Sequence, residues 1–332
     1  VTDTLVITGA AGFLGSHLLD VALRWTTFDI VAVDSLRHNG ASRNVRNVMN
    51  KNPDKWHRVK FIAHDLRAPF HKSDAAHLVD ARYVIHAAAL SQVRASIDDP
   101  AYFINNNVGG VITLLDAARS VIAPELFLLV STDEVYGPGT PSSHTHYSPS
   151  SPYAASKACQ ELIAGAYRTT FSVPVTTVNI SNMFGPRQSQ LAFTPRVIRA
   201  LLAGKSRVLV HTDRRGRPGG RHYSYVVDVA ERLVSHVLDS RAEPLPERIQ
   251  LPGHDYVDNE ELVRRLHGIM GVELPFDSVI TRTHGSHLAQ LPGHDIDYAT
   301  LNGDREWVPQ TAFDDALRET VKWFTEYPEW LE

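Results

Sequence analysis

Thr8-Gly9-Ala10-Ala11-Gly12-Phe13-Leu14-Gly15 follows a short apolar run, Leu5–Thr8, and opens a stretch with helical periodicity, Phe13–Arg24. Glycines at this spacing let a backbone turn approach a pyrophosphate closely, and a helix N-terminus there offers unpaired N–H groups and partial positive charge. The pattern alone is weak, but the strand before it and the helix after it supply the required context. Asp34 ends the next apolar run, about twenty residues further on, where a carboxylate accepts both adenosine ribose hydroxyls. It would repel a 2′-phosphate, so NAD is expected rather than NADP, although Arg37 and Arg43 stand nearby.

Outward from this loop, short apolar runs alternate with helical patterns, the signature of βαβ units and a parallel sheet. Strands are expected at Leu5–Thr8, Ile30–Val33, Val59–Ala63, Tyr83–His86, Phe127–Ser131 and Val175–Asn179, most of them near-continuous hydrophobic runs suited to burial on both faces. Helices are expected at Phe13–Arg24, Ile104–Arg119 and Tyr153–Thr170. The second half is richer in proline and glycine, with helices expected at Pro195–Ala203 and Val227–Leu238. The fold class is therefore α/β, a doubly wound parallel Rossmann-type sheet with a smaller C-terminal substrate domain. Residues 1–180 form the NAD-binding domain, part of 222–245 packs back onto it, and 181–332 is mainly the substrate domain.

Composition limits the function. A chain of 332 residues with 43% hydrophobic and 21% charged residues suits a globular protein with a sizeable core. A net charge of −4 gives no electrostatic reason to expect nucleic acid or an anionic membrane. The single cysteine, Cys159, excludes an internal disulfide and fits a reducing compartment; inside a helix it is expected to be buried and structural. The run Thr4–Thr8 is too short for a signal-peptide core, and no apolar run approaches the ~18 residues of a membrane span. A cytoplasmic protein is expected.

Two further stretches carry chemistry: Ser131-Thr132-Asp133-Glu134-Val135-Tyr136-Gly137, and Tyr153-Ala154-Ala155-Ser156-Lys157. Tyr and Lys four residues apart share one helix face, where an ammonium can stabilise a tyrosinate whose free pKa of ~10 is too high for a base at neutral pH. The first stretch puts a hydroxyl and two carboxylates where the strand Leu126–Val130 runs out. Successive strand residues point to opposite faces, so Asp133 and Glu134 can both face a substrate only if the chain leaves strand geometry there. Asp65 and Leu66, just past the third strand, can meet the adenine edge, and Ala87-Ala88-Ala89 is small enough to let a cofactor lie against the backbone. His144-x-His146 has no Cys, Asp or Glu at ligand spacing, and His284 and His287 lie in another glycine-containing loop; no metal is expected.

With these residues the chain resembles the extended short-chain dehydrogenase/reductase family, and within it the dTDP-glucose 4,6-dehydratases. The likeness includes the glycine loop, Asn105-Asn106-Asn107-Val108-Gly109-Gly110, Thr132-Asp133-Glu134 before Val-Tyr-Gly, Tyr153…Lys157, and Ser181-Asn182-Met183-Phe184-Gly185-Pro186. Pro292-Gly293-His294-Asp295 and Trp307-Val308-Pro309 extend it toward the C-terminus. The resemblance implies an NAD-dependent 4,6-dehydration of a nucleoside-diphosphate hexose. Tyr153, with Lys157, takes the C4 hydroxyl proton as C4 is oxidised, and Thr132 hydrogen-bonds the C4 oxygen. Glu134 removes the C5 proton, protonated Asp133 assists loss of the C6 hydroxyl, and hydride returns to C6. It also implies cofactor contacts from Gly9, Gly12, Phe13, Leu14, Gly15, Asp34, Asp65, Leu66, Ala87, Ala89, Tyr153 and Lys157. Substrate contacts fall to Ser91, Gln92, Arg94, Asn182, Arg187 and Arg221, and the chain is expected to be a homodimer.

The chain departs from that family in places. Ser91-Gln92-Val93-Arg94-Ala95-Ser96 stands where the family usually reads Ser-His-Val-Asp-Arg-Ser, and the segment His211–Arg221 is longer and more basic than usual. The base and sugar therefore stay open. So do a 5,6-elimination on an amino sugar giving an alkene, and a C4 epimerisation that would leave Asp133 and Glu134 idle.

Overall fold

Near-continuous apolar runs become central strands because both of their faces can be covered. In the computed structural model, which describes residues 2–38, 40–79, 81–137, 146–204, 207–254, 256–284 and 307–332, β1 (Thr4–Thr8), β2 (Asp29–Asp34), β3 (Val59–Ala63), β4 (Ala81–His86), β5 (Leu126–Thr132) and β6 (Val175–Ile180) carry the sequence of the expected strands. They are followed by β7 (Asn182–Phe184), β8 (Val208–Thr212), β9 (Gly220–Tyr225), β10 (Arg248–Leu251), β11 (Tyr256–Asp258) and β12 (Ile280–His284). The helices are α1 (Phe13–Trp25), α2 (Ala41–Lys51), α3 (Lys72–Ala75), α4 (Val93–Asp98), α5 (Pro100–Ala117), α6 (Pro152–Phe171), α7 (Phe193–Ala203), α8 (Val226–Asp239), α9 (Asn259–Ile269), α10 (Phe276–Val279) and α11 (Phe313–Glu326).

The main sheet has seven strands in the order β3-β2-β1-β4-β5-β6-β10. β1 is parallel to β2 on one side (Val6↔Val31) and to β4 on the other (Val6↔Val84). Strand order reverses between β1 and β4, and in such sheets the carboxyl ends of the strands at that reversal form the ligand crevice. β5 is buried at every position. Helices α5 and α6 start where local chemistry dictates: Pro100 and Pro152 occupy the first helical position, Asp99 accepts the Tyr102 N–H at 3.1 Å, and Ser151 accepts the Ala154 N–H at 3.1 Å. Such caps contribute about 1 kcal/mol each. Both helices bury one face: Val111, Leu114, Leu115 and Ala164 pack with Val6, Val84, Phe127 and Leu129.

The chain divides into two compact units. The first comprises residues 1–135, 151–179 and 229–250; the second comprises 136–150, 180–228 and 251–332. The second unit contains a three-stranded sheet, β11-β9-β7, and the parallel pair β12-β8. Its core gathers Phe184, Tyr223, Leu262, Leu266 and Phe324, with Phe184 edge-on to Tyr223 and Phe313.

Cys159 is a correction. It is free and exposed, not buried. The core face of α6 carries Ala158, Glu161 and Ala164, whereas Cys159 shares the outward face with Leu162, which is 59% exposed. Pro292–Asp295, His144 and His287 lie outside the described residues.

Candidate active site

The glycine loop is shaped by contacts that allow no side chain. Gly9 turns with φ +68°, and a Cβ there would lie 2.8 Å from the Ala88 backbone. At Gly12 a Cβ would approach the Gly9 carbonyl oxygen to 3.0 Å, and at Gly15 to 1.9 Å. Helix α1 then begins with no side-chain cap and no acidic residue in its first turn, so the N–H groups of Phe13 and Leu14 face an end that suits an anion. Ala87 N–H and Ala88 N–H donate to the carbonyl and hydroxyl oxygens of Thr8, at 3.3 and 3.4 Å, so the Ala87–Ala89 stretch lies against the loop. Thr8 Oγ1 also meets Nδ1 of His86 at 2.7 Å. Burial, followed by the charge of Lys157, holds His86 down to about 3, so the imidazole is neutral.

Asp34 sits beside this loop. Its carboxylate accepts the Ala11 N–H at 3.0 Å and the Leu36 N–H at 2.7 Å, keeping lone pairs that suit a ribose diol. Asp65 is held by two guanidinium groups, Arg37 at 2.6 Å and Arg67 at 2.8 Å. Hydrogen bonds from Arg67, reinforced by Arg37, bring its carboxyl down to about 2. Arg37 is thus engaged on Asp65, and Leu66 is buried in the core near Gly110. The closed glycine turn, the uncapped helix end and the adjacent carboxylate fit an NAD molecule.

The expected catalytic residues all belong to the first unit. β5 ends at Thr132, and Asp133–Tyr136 form one 3₁₀ turn. That turn breaks the strand alternation that would have sent Asp133 and Glu134 to opposite faces. Thr132 Oγ1 donates to Asp133 Oδ1 at 3.2 Å and accepts the Glu134 N–H at 3.3 Å. The Thr132 side chain also hydrogen-bonds the phenol of Tyr153. Burial raises Tyr153 well above the ordinary tyrosine range, and the charges of Glu134 and then Asp133 raise it further, against the Thr132 hydrogen bond.

Lys157 is anchored one turn after Tyr153 on α6. Its Nζ donates to the Val130 carbonyl oxygen at 2.7 Å and to Gln160 Oε1. Burial brings Lys157 down to about 8, with Glu161 acting the other way. Beneath the catalytic turn lies a polar network that sequence reading missed. Glu161 accepts from Ser131 Oγ, from Asn179 Nδ2 at 2.8 Å and from Arg248 Nη2 at 2.9 Å. Asn179 Nδ2 also reaches the Thr132 carbonyl oxygen at 3.1 Å. The available signal was polar residues inside a helix and a strand: Glu161 among the buried positions of α6 and Asn179 among those of β6.

The expected substrate residues fall in both units. In the first, Ser91 and Gln92 are exposed after β4, and Arg94 turns to Asp98 at 3.4 Å. Ser96 Oγ accepts the Tyr153 N–H at 3.2 Å, which ties this segment to the start of α6. In the second, Asn182 pairs with Tyr223 in the β7–β9 register, which places Asn182 and Arg221 on one face of that sheet. Arg187 is buried, with φ +64°. The basic segment before β9 is organised by Asp213, which accepts the Arg215 and Arg217 N–H groups at 2.8 Å each and pairs with the Arg217 side chain at 2.9 Å.

A sequence model described as the NAD dependent epimerase/dehydratase family matches residues 5–251. The dTDP-glucose 4,6-dehydratase of Shigella flexneri is 31% identical, over 99% of this chain and 94% of that protein. The dTDP-glucose 4,6-dehydratase of Streptomyces venezuelae, solved with NAD bound, superposes with a TM-score of 0.83 at 28% identity, covering 99% of each chain. A UDP-glucuronic acid 4-epimerase from Bacillus cereus has the same fold: TM-score 0.83, 23% identity, 98% of this chain and 99% of that one. The chain belongs to the NAD dependent epimerase/dehydratase family.

Proposed function

We propose that this member of the family is a nucleoside-diphosphate-hexose 4,6-dehydratase, a hydro-lyase that converts its substrate to the 4-keto-6-deoxy sugar. The observation that carries this reading is the 3₁₀ turn, which gathers Asp133 and Glu134 beside Thr132 and Tyr153. An oxidation at C4 alone needs one base, whereas loss of water across C5 and C6 needs an acid and a base. The dTDP-glucose 4,6-dehydratases of similar sequence support the same choice.

NAD held against the glycine loop and Asp34 would supply a reversible hydride acceptor, taking hydride from C4 and giving it back at C6. Thr132 and Tyr153 hold the C4 oxygen, and Tyr153 takes the hydroxyl proton once its own phenol is ionised. The 4-keto group acidifies C5–H, and Glu134 removes that proton. Protonated Asp133 donates to the C6 oxygen, which leaves as water, and a proton at C5 with the hydride returned to C6 completes the 4-keto-6-deoxy sugar; neighbouring carboxylates in unlike surroundings can divide acid and base roles in this way. Asn182, Arg187 and Arg221, with the second unit as substrate domain, are the proposed holders of the nucleoside diphosphate, guanidinium being suited to phosphate oxygens. Ser91, Gln92 and Arg94 are the proposed neighbours of the sugar.

We further propose a homodimer through α5 and α6. Ile104 and Ile112 on α5, and Cys159 and Leu162 on α6, form outward apolar stripes at helical spacing, and the second copy is the occupant that covers them. No helix among the described residues is long and apolar enough to cross a membrane. A cytoplasmic location accords with one free cysteine and a nucleotide-sugar substrate.

The test is incubation of the purified protein and NAD with dTDP-glucose, UDP-glucose and UDP-N-acetylglucosamine, read by product mass and proton NMR. Loss of one water with a new methyl doublet is expected from one of them; conversion without change of mass would exclude dehydration.

A further inference from the structure

Lys157 is held by a residue that the proposed chemistry does not use. Gln160 lies on α6 three residues after Lys157 and is fully buried. Its Nε2 donates to the backbone carbonyl oxygen of Asn107 on α5 at 2.7 Å, and its Oε1 accepts from Lys157 Nζ. These partners define the amide orientation: a flipped amide would set its NH₂ against the ammonium and its oxygen against a carbonyl. The far anchor is also fixed. The Asn107 side chain accepts the Leu90 N–H at 2.8 Å, donates to the Leu90 carbonyl oxygen at 3.0 Å and donates to Ser156 Oγ at 2.9 Å. Ser156 Oγ donates in turn to the Tyr153 carbonyl oxygen at 2.7 Å.

We propose that Gln160 is a positioning residue: a neutral clamp that pins the Lys157 ammonium between α6, α5 and β5 and leaves one of its three N–H donors for the active site. The inference rests on reading Tyr153 and Lys157 as the working pair of the proposed reaction. Neutrality is the essential property. A carboxylate at position 160 could not donate to the Asn107 carbonyl and would neutralise the ammonium on which tyrosinate formation depends. An apolar side chain of similar volume would leave one ammonium donor unpaired in a buried site and remove the tie to the Asn107 carbonyl, which keeps its place in the helix of α5. The titratable groups that act on Lys157 are Glu161 on its own helix and His86 at the end of β4; Tyr153, one turn earlier on α6, is in turn acted on by Glu134 and Asp133 of the turn after β5. α5 contributes the neutral Asn107. Burial already places Lys157 close to neutrality, so small changes in its partners move its charge within the working pH range.

The test compares wild type with Gln160→Met and Gln160→Glu as NAD-loaded proteins carrying [ε-¹³C]lysine, the Lys157 signal being assigned by its loss in Lys157→Arg. Q160E is expected to raise the Lys157 titration midpoint by about one to three pH units, as an opposite charge at contact does. Q160M is expected to lower the midpoint. In turnover, the alkaline limb of kcat moves in the same directions. Q160M loses about 10²-fold in kcat, the order seen when a catalytic group is misplaced by ~1 Å, while KM stays near wild type. A purely structural role would lower thermal stability without separating the two variants in sign. If either variant does not fold, the other still carries the sign of the shift. Identical Lys157 titration in wild type and a folded variant would overturn the clamp. Shifted titrations in a protein that turns over no nucleoside-diphosphate hexose would leave the clamp standing and reject the function; normal dehydration with unshifted titrations would do the reverse.

Discussion

Replacing Gly15 with alanine puts a methyl group 1.9 Å from the Gly9 carbonyl oxygen, 2.6 Å from the Gly9 carbonyl carbon and 2.9 Å from the Ala10 Cα. All three are backbone atoms, so relief requires the loop itself to move by about 1.5 Å or more, the gap between 1.9 Å and an ordinary contact. Overpacking of this kind costs about 1–3 kcal/mol of stability. The functional loss is larger. The displaced segment carries the N–H groups proposed to hold the pyrophosphate, and two charge-assisted hydrogen bonds at about 1.5–3 kcal/mol each make roughly 3–6 kcal/mol. That corresponds to a weakening of NAD binding by about 10²–10⁴-fold. Gly12→Ala meets the Gly9 oxygen at 3.0 Å and is expected to fall between Gly15→Ala and wild type. Gly268→Ala, in open space on α9, is the control, expected to leave NAD binding alone and to stabilise by about 0.5–1 kcal/mol. Calorimetric titration of NAD and thermal melts of the four proteins read both quantities. Gly15→Ala binding NAD as tightly as wild type would refute the cradle.

Glu134→Gln is expected to lower kcat by about 10²–10⁴-fold with little change in KM, and to stop solvent deuterium from entering C5; unimpaired deuterium entry would remove Glu134 as the C5 base. His86 is neutral in the fold and protonates at about 3, below its ordinary 6.5. Its contribution to stability is therefore full above pH 6.5 and is lost as pH falls toward 3. Urea midpoints should fall over that window in wild type and less steeply in His86→Asn, and equal slopes would show that His86 is not the group responsible. Leu162→Glu, in the outward stripe of α6, is expected to yield monomers by sedimentation velocity and to make Cys159 faster toward a thiol reagent. A wild-type protein that is already monomeric rejects the α5–α6 interface.

Much of this was legible in the sequence because it depends on local rules. Thr8–Gly15 and Asp34 carry their own backbone requirements, and the apolar runs located the first six strands to within one or two residues. The strands extend slightly further, to Thr4, Asp29 and Ala81, because ladder pairing belongs to the backbone and outlasts the apolar side chains. β10 was not foreseen; Arg248-Ile249-Gln250-Leu251 is short and half polar, and only its place at the sheet edge makes it a strand. Cys159 was misjudged because membership of a helix says nothing about which face a residue takes. The direction of Lys157 was also not legible. Its partners, Val130 and Gln160, are set by how α6 lies on β5, and the Glu161–Asn179–Arg248 network joins segments far apart in the chain.

The most direct measurement is the fate of deuterium placed at C4 of the nucleoside-diphosphate hexose that the protein accepts. Dehydration by the proposed route carries that deuterium to C6, so mass spectrometry and NMR should find it in the new methyl group of a product lighter by one water. Deuterium retained at C4 in a product of unchanged mass, or a product with an alkene and no methyl group, would contradict the 4,6-dehydratase assignment.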